Sequence, residues 1–416
     1  MANSDKYYAV LLHGGRIGTL CQKGDYTSFL FNEDYLENLD RPILGLFFEE
    51  NLRKPYASAL RLPKWFSNLL PEGPLRQWIA EDRGVSLDRE MELLAQVGHD
   101  LPGAVQVLPA DGPDSGWTWT GSDVSPGQQE KEDGGSPWRF SLAGVALKFS
   151  MLAQGDRLTV PAVGERGDWL VKFPDYRFND VPRNEYTMMR LAESVGIDVP
   201  PVRLVHRDEL RDVPSRMWPN NEQWAYAVRR FDRADDTSRT LVHIEDFAQV
   251  RNKYPQQKYE GSFETVGAIA YRGRDALALQ EVARRLAFSI IIGNGDAHLK
   301  NWSLIYRDKR VPTISPAYDL VSTVSYREKE DGPEDLGLKL CGGKRFDDIR
   351  LSFFDRFEAR IYKRLGSSDA ELAEVAFETA KGVRTNWPRF EEGLAEIPNL
   401  RSGISNWIAA RMATLR

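Results

Sequence analysis

Residues 290–305 read Ile-Ile-Ile-Gly-Asn-Gly-Asp-Ala-His-Leu-Lys-Asn-Trp-Ser-Leu-Ile. An apolar run halts at glycines, a polar cluster holding Asp296, His298, Lys300 and Asn301 follows, and an apolar strand resumes over Trp302–Ile305. Asp296 and Asn301 stand five positions apart on what must be a tight loop. Kinases use that arrangement: the acid orients the hydroxyl that attacks ATP, and the amide holds a Mg²⁺ ion. Lys300, between them, carries a charge that can neutralise the phosphoryl group in transit.

Further along, Pro316-Ala-Tyr-Asp-Leu-Val-Ser322 follows one more short strand, Val311–Ile314, and its Asp319 is a second candidate metal ligand. Mg²⁺ takes oxygen ligands, commonly one or two from protein with phosphates and water completing the shell, and Asn301 with Asp319 meets that demand. Upstream, Trp169-Leu-Val-Lys-Phe173 sets Lys172 in an apolar strand, where a dehydrated ammonium needs an anion such as a nucleotide phosphate. Glu185, on the helix after Pro182, is placed to orient it. Singly, each feature has a plainer reading: a solvated loop, a lysine snorkelling from a strand edge, an Asx-turn. Their order (strand Lys, helix Glu, Asp…Asn loop, metal Asp) is the one a kinase requires.

Those side chains need a sheet lobe and a helical lobe to hold them. Strands are expected at Tyr7–Leu12, Arg16–Leu20 and Tyr26–Phe31, with Gly14-Gly15 as the first hairpin turn. Helices follow at Leu75–Asp82 and at Asp88–Val97, the latter with Asp88 as N-cap. The stretch 110–137 is rich in Gly, Pro, Ser and acids and reads as a linker or surface loop. Strands are then expected at Arg139–Leu142, Val145–Phe149, Trp169–Phe173, Val202–Val205 and Trp224–Arg230, with a helix at Arg183–Val195 between them. From about Leu241 the pattern turns helical: a buried helix at Asp275–Ile292 ends in Gly293, and others fall at Phe353–Leu365, Asp369–Lys381 and Ile404–Leu415. The expected fold is α+β, a small α+β unit followed by a sheet lobe and then a helix lobe. Its parts are 1–110, a linker or loop 111–137, a sheet-rich lobe 138–240 and a helical lobe 241–416.

Composition narrows the function. The 416 residues carry 55 Lys and Arg against 61 Asp and Glu, a net charge of −6, so the chain has no basic field of its own for nucleic acid. Two cysteines, Cys21 and Cys341, and five scattered histidines make neither a disulfide framework nor a zinc site. No secretory signal and no apolar run long enough for a bilayer is visible, so a cytoplasmic setting without membrane contact is expected. Gly293-Asn-Gly295 follows a helix and lacks a dinucleotide fingerprint's third glycine, and no P-loop occurs.

The second part of the chain resembles the HipA family, bacterial serine/threonine kinase toxins of type II toxin–antitoxin systems. The resemblance rests on Phe140-Ser-Leu-Ala-Gly-Val145, Trp169-Leu-Val-Lys-Phe173, Asn184-Glu-Tyr186, Val228-Arg-Arg-Phe-Asp-Arg233, Glu245-Asp-Phe247, Lys258-Tyr-Glu260, Asn294-Gly-Asp-Ala-His-Leu-Lys-Asn301 and Pro316-Ala-Tyr-Asp-Leu320. The front unit resembles that family's small N-terminal domain, chiefly around Pro71-Glu-Gly73 and Gly98-His-Asp100. The resemblance implies a two-lobed, protein-kinase-like fold with ATP and Mg²⁺ between the lobes. Asp296 is then the base, with His298 and Lys300 as catalytic neighbours on the phosphate, and Asn301 and Asp319 hold the metal. Lys148, Lys172, Tyr318 and the loop residues Ala143, Gly144 and Val145 contact ATP, and the backbone of Arg229, Arg230 and Phe231 holds the adenine at the hinge. Ser141 is the implied autophosphorylation site, whose added charge repels ATP from the cleft. Where the family often has Gln after this serine, Ala146 stands here. The implied partners are a small DNA-binding, HipB-like antitoxin, operator DNA through that antitoxin, and an aminoacyl-tRNA synthetase or other translation component as substrate. A small-molecule kinase of the aminoglycoside or choline type, or a non-catalytic antitoxin/operator-binding module, remain as alternatives.

Overall fold

The computed structural model describes residues 5–112, 148–154, 157–159, 167–210, 213–236, 238–327, 335–365 and 370–414. The expected strand Arg139–Leu142, most of Val145–Phe149 and nearly all of the linker lie outside them.

Hairpin connections build the front unit. Strands β1 (Lys6–Leu12), β2 (Gly15–Lys23), β3 (Tyr26–Phe31), β4 (Tyr56–Ala59) and β5 (Val105–Ala110) form an antiparallel sheet in the order β4-β3-β2-β1-β5. The first hairpin turns on His13 and Gly14, at φ 52° and 81°, and not on Gly14-Gly15. A two-residue turn of this hand needs both central residues left-handed, and Gly15 is already paired with Leu12. Between the strands run α1 (Glu33–Glu37), α2 (Lys64–Ser67), α3 (Gly73–Arg83) and α4 (Glu90–Val97). Asp88 does not cap α4: Arg89 is the cap position, and Asp88 N–H is drawn back to Ser86 Oγ at 3.2 Å.

A second sheet, ordered β7-β6-β8-β10-β9, holds β6 (Lys148–Gln154), β7 (Arg157–Thr159), β8 (Trp169–Lys172), β9 (Val202–His206) and β10 (Trp224–Arg229). Period-two alternation decides what each face meets. Phe149, Met151, Val171, Ala225 and Ala227 join the apolar core of the front unit. The opposite face carries Lys148, Lys172 and Tyr226, which the register sets side by side. Helix α5 (Val181–Ser194) packs over that face through Met188, Met189 and Leu191, in one core with Tyr226 and Val228.

The rest is mainly helical: β11 (His243–Asp246), α6 (Phe247–Val250), α7 (Phe263–Tyr271), α8 (Ala276–Ile292), β12 (Ser303–Tyr306), β13 (Thr313–Ile314), β14 (Asp335–Leu340), β15 (Gly343–Arg345), α9 (Ser352–Leu365), α10 (Leu372–Phe390) and α11 (Pro398–Thr414). The central α8 is closed at both ends as its sequence requires. Asp275 accepts from Ala278 N–H at 2.9 Å, and Gly293 takes the left-handed C-cap at φ 72°.

The front unit is welded to the rest by buried polar joints as well as by shared core. Glu245 on β11 is fully buried and accepts from Leu46 N–H at 3.0 Å, Trp65 Nε1–H at 3.2 Å and the Tyr306 hydroxyl. A Cβ on Gly45 would stand 2.5 Å from Trp65 Nε1 and 2.9 Å from Glu245 Oε2, so this joint closes only around glycine. Burial pushes the Glu245 carboxyl up to about 7, with the three donors pulling the other way. A raised carboxylate pKa contributes stability that is complete below the unfolded value and is lost as pH rises through the folded one. Wild type is therefore expected to lose stability relative to Glu245→Gln, by on the order of 2 kcal/mol, between about pH 5 and pH 8. Denaturant melts of both proteins at each pH check this, and a pH-independent difference refutes it.

Candidate active site

Lys172 ends β8 on the face covered by α5. Its Nζ lies 2.5 Å from Glu185 Oε1 and also bonds the Asp319 carboxylate, 147 positions away in the chain. Burial works against the ammonium, and the charges of Asp319 and Glu185 outweigh it, so Lys172 stays protonated. Burial likewise opposes the Asp319 carboxylate, but Lys172 and Lys148 hold it well below the usual range. Lys148 sits opposite Lys172 in the register. Burial pushes it down to about 8 while Asp319 pulls it back up, and among the described residues no hydrogen bond or ion pair engages it. Two adjacent buried lysines facing a cleft suit an anion of more than one charge.

The Asp319 segment is held by α5. Asn184 Nδ2 donates to Ser322 O at 3.0 Å, and Ser322 N–H donates to Asn184 Oδ1 at 3.1 Å. Asp319 itself has φ 62°, a left-handed conformation costly for a residue with a Cβ and typical of functional turns.

The loop after α8 clamps the main chain of Asp296 from both sides. Its N–H donates to Asn294 Oδ1 at 3.0 Å, and Asn301 Nδ2 donates to its carbonyl at 2.8 Å. That bond takes one of the two Asn301 amide N–H donors and fixes the amide so that Oδ1 is the ligand atom. Asn301 and Asp319 line one small cavity together with Asn294 and Tyr318. An ionised carboxylate and an amide oxygen form the hard-oxygen set Mg²⁺ takes, so the residues present fit that ion. Among the described residues there is no group of three or more His, Cys, Asp or Glu that could hold a metal. The Asp296 side chain is open on one side, at 49% exposure, with His298 Nε2 4.0 Å away and the Tyr259 hydroxyl bonded to Oδ1. Burial pushes His298 down to about 3, so it is neutral at physiological pH, and its buried Nδ1 has no hydrogen-bond partner among the described residues.

One expected contact goes elsewhere. Lys300 turns toward the front unit, with Nζ 2.7 Å from Asp246 Oδ2, 3.0 Å from Asn68 O and 3.1 Å from Asn68 Oδ1. Its three donors are thereby used, and none points to a phosphate position. The hinge expectation concerns the main chain of Arg229–Phe231, and the Arg230 side chain is engaged elsewhere. It is buried against Asp100 at 3.1 Å, Asp232 at 2.8 Å and Ser150 Oγ at 2.9 Å. A buried charge goes where its counter-charges are, and these come from the front unit and from the segment just after β10. Arg229 is partly exposed and pairs with Asp235 at 2.5 Å. At the hinge, Arg230 N–H is taken by Asp168 O at 2.8 Å. Phe231 N–H and C=O have no hydrogen bond among the described residues, and its ring lies 5.7 Å from that of Tyr318. Tyr318 meanwhile donates to Lys300 O at 2.9 Å and contacts Ser303 Oγ at 2.5 Å. Ser141, Ala143, Gly144, Val145 and Ala146 lie outside the described residues.

Sequence reading assigned no role to Glu72, Lys258 or Tyr259. Glu72, from the front unit, reaches Lys258 Nζ at 3.3 Å across 186 positions of chain. The only signal was their presence in matching segments, Pro71-Glu-Gly73 and Lys258-Tyr-Glu260, which carries no geometry.

This geometry has relatives. The family model of the HipA-like C-terminal domain matches residues 140–387, which is more than half of the chain. The chain belongs to the HipA family. The model of the HipA N-terminal domain matches residues 8–108, so both characteristic parts of HipA proteins are present in family order. Putative kinase Y4dM of Sinorhizobium fredii is 43% identical over 92% of each chain. The serine/threonine-protein kinase toxin HipA of Shewanella oneidensis is 28% identical over 63% of each. Among solved structures, HipA of that species, in complex with HipB and operator DNA, superposes with a TM-score of 0.73 at 21% identity, covering 98% of this chain and 97% of that one. The HipA fold, a sheet-rich lobe and a helical lobe behind a small α+β unit, is therefore the fold of this chain. No described helix is long and apolar enough to cross a membrane.

Proposed function

We propose that this HipA-family chain is an ATP- and Mg²⁺-dependent protein serine/threonine kinase, and that it acts as the toxin of a type II toxin–antitoxin pair. The observation that carries the reading is Lys172 held between Glu185 and Asp319 beside the Asp296–Asn301 loop. In it Asp296 accepts the proton of the attacking hydroxyl, while Lys172 and Lys148 bind phosphate oxygens. Asn301 and Asp319 hold Mg²⁺, which when bound neutralises charge on the transferred group. Phe231 offers its free main-chain groups to adenine, and the neutral His298 offers Nδ1–H to phosphate. Lys300, tied to Asp246 and Asn68, positions the loop and does not touch the phosphoryl group.

The partner is a small DNA-binding antitoxin of the HipB kind, a reading supported by the operator complex of the Shewanella relative. The net charge of −6 leaves the DNA field to that antitoxin. The substrate we propose is a serine of an aminoacyl-tRNA synthetase or another translation component in the cytoplasm, with Ser141 as the self-modified off-switch.

Incubating purified protein with γ-labelled ATP and cell-lysate proteins tests this. Label is expected in protein, to be lost on Mg²⁺ chelation, and to fall about a thousandfold in Asp319→Asn. Label confined to small metabolites favours a small-molecule kinase instead. Full activity of Asp319→Asn overturns the site.

A further inference from the structure

Residues 254–260 form a strap between the front unit and the catalytic loop. Tyr254 Oη meets Ser58 Oγ at 2.9 Å, Lys258 Nζ pairs with Glu72 Oε2 at 3.3 Å, and Lys258 O accepts from Leu299 N–H at 3.0 Å. The strap carries Tyr259 onto the Asp296 carboxylate, which stays half-exposed beside it. The tyrosine is 44% exposed, and its ring stands edge-on to His298 at 5.0 Å and 79°. Its hydroxyl donates to Asp296 Oδ1, since an ionised carboxylate only accepts.

A hydroxyl donating to this carboxylate is what an acceptor serine must supply before transfer. We propose that Tyr259 occupies the acceptor's place on Asp296 Oδ1, so that a docked protein substrate, or a water, must displace it there before it can react. The inference rests on the reading of Asp296 as the base. Burial and the Asp296 charge push the phenol well above its usual range, so Tyr259 holds this place without giving up its proton. The strap is anchored to the front unit at Ser58 and Glu72, so a substrate that grips the front unit and the helical lobe together is the class able to lift it. Small hydroxylated metabolites lack that reach.

The step that Tyr259 suppresses is hydrolysis. Water oxygen bonds the γ-phosphorus, the bond from γ-phosphorus to the bridging oxygen breaks, and ADP leaves. The water proton passes to Asp296 and then to the released phosphate.

The test is ADP release by the full chain with Mg²⁺ and ATP, with water as the only acceptor. It compares wild type, Tyr259→Phe, Tyr259→Leu, Asp296→Asn and the Tyr259→Phe/Asp296→Asn double variant. Losing one hydrogen bond to a charged group is expected to raise hydrolysis about tenfold in Tyr259→Phe. The gain is expected again in Tyr259→Leu, which guards against a misfolded first variant, and is expected to vanish in the double variant. If Tyr259 merely braced Asp296, both Tyr259 variants would hydrolyse ATP no faster than wild type. That result, with Asp296→Asn still abolishing label transfer to lysate protein, overturns the inference and leaves the kinase reading intact. Wild-type transfer by Asp296→Asn instead overturns the kinase reading and the inference with it.

Discussion

Asp296→Asn is expected to cut phosphoryl transfer by about a thousandfold while leaving the fold in place, because a positioned base contributes roughly 10²–10⁴-fold. The loop survives the change for a specific reason. Both bonds that shape it, from Asp296 N–H to Asn294 Oδ1 at 3.0 Å and from Asn301 Nδ2 to Asp296 O at 2.8 Å, are made to the main chain. The new amide oxygen still accepts from the Tyr259 hydroxyl, so the local contacts persist while the proton acceptor is gone. Initial rates at saturating ATP, beside a thermal melt matching wild type, check this. Retention of more than about a tenth of the rate shows that proton transfer to Asp296 is not part of the barrier.

The largest stability loss is expected from a residue that touches no substrate. Arg230 joins Asp100 of the front unit and Asp232, at 3.1 and 2.8 Å, with every side chain in the cluster at most 8% exposed. Arg233 completes the group, 2.7 Å from Asp100 and 2.9 Å from Asp232. Two arginines and two aspartates balance, and Asp232 also accepts from Gly103 N–H at 2.8 Å. Arg230→Met removes one cation and leaves a buried carboxylate uncompensated, which costs about 3–5 kcal/mol. Because Asp100 and Gly103 belong to the front unit, that unit should loosen first, and denaturant unfolding followed by hydrogen exchange reads both effects. Its neighbour supplies the contrast: Arg229 pairs with Asp235 in solvent, and Arg229→Met is expected to leave the melt almost unchanged. Equal losses from the two variants refute this account of the network.

These two arginines also mark how far local reading reaches. In Val228-Arg-Arg-Phe-Asp-Arg233 both look alike, and the segment reads as hinge and nothing more. Arg230 becomes a buried strut because Asp100 arrives from 130 positions away, whereas Arg229, on the alternate side of the strand, faces outward. Lys300 tells the same story. Its place in the loop invited a phosphate role, and Asn68, 232 positions upstream, claims it.

What the sequence settled by itself was whatever short-range rules encode. A helix bounded by Asp275 and Gly293, a lysine on an alternating strand, and an acid and an amide five positions apart on one loop are statements about dihedral preference and side-chain period, which travel with the residues. Tertiary structure alone decided the partners of the charged heads: Asp319 for Lys172, Asn68 for Lys300, Asp100 for Arg230 and Asp296 for the Tyr259 hydroxyl. Such pairings follow from which surfaces burial forces together, and a desolvated charge takes the nearest opposite one whatever its distance along the chain.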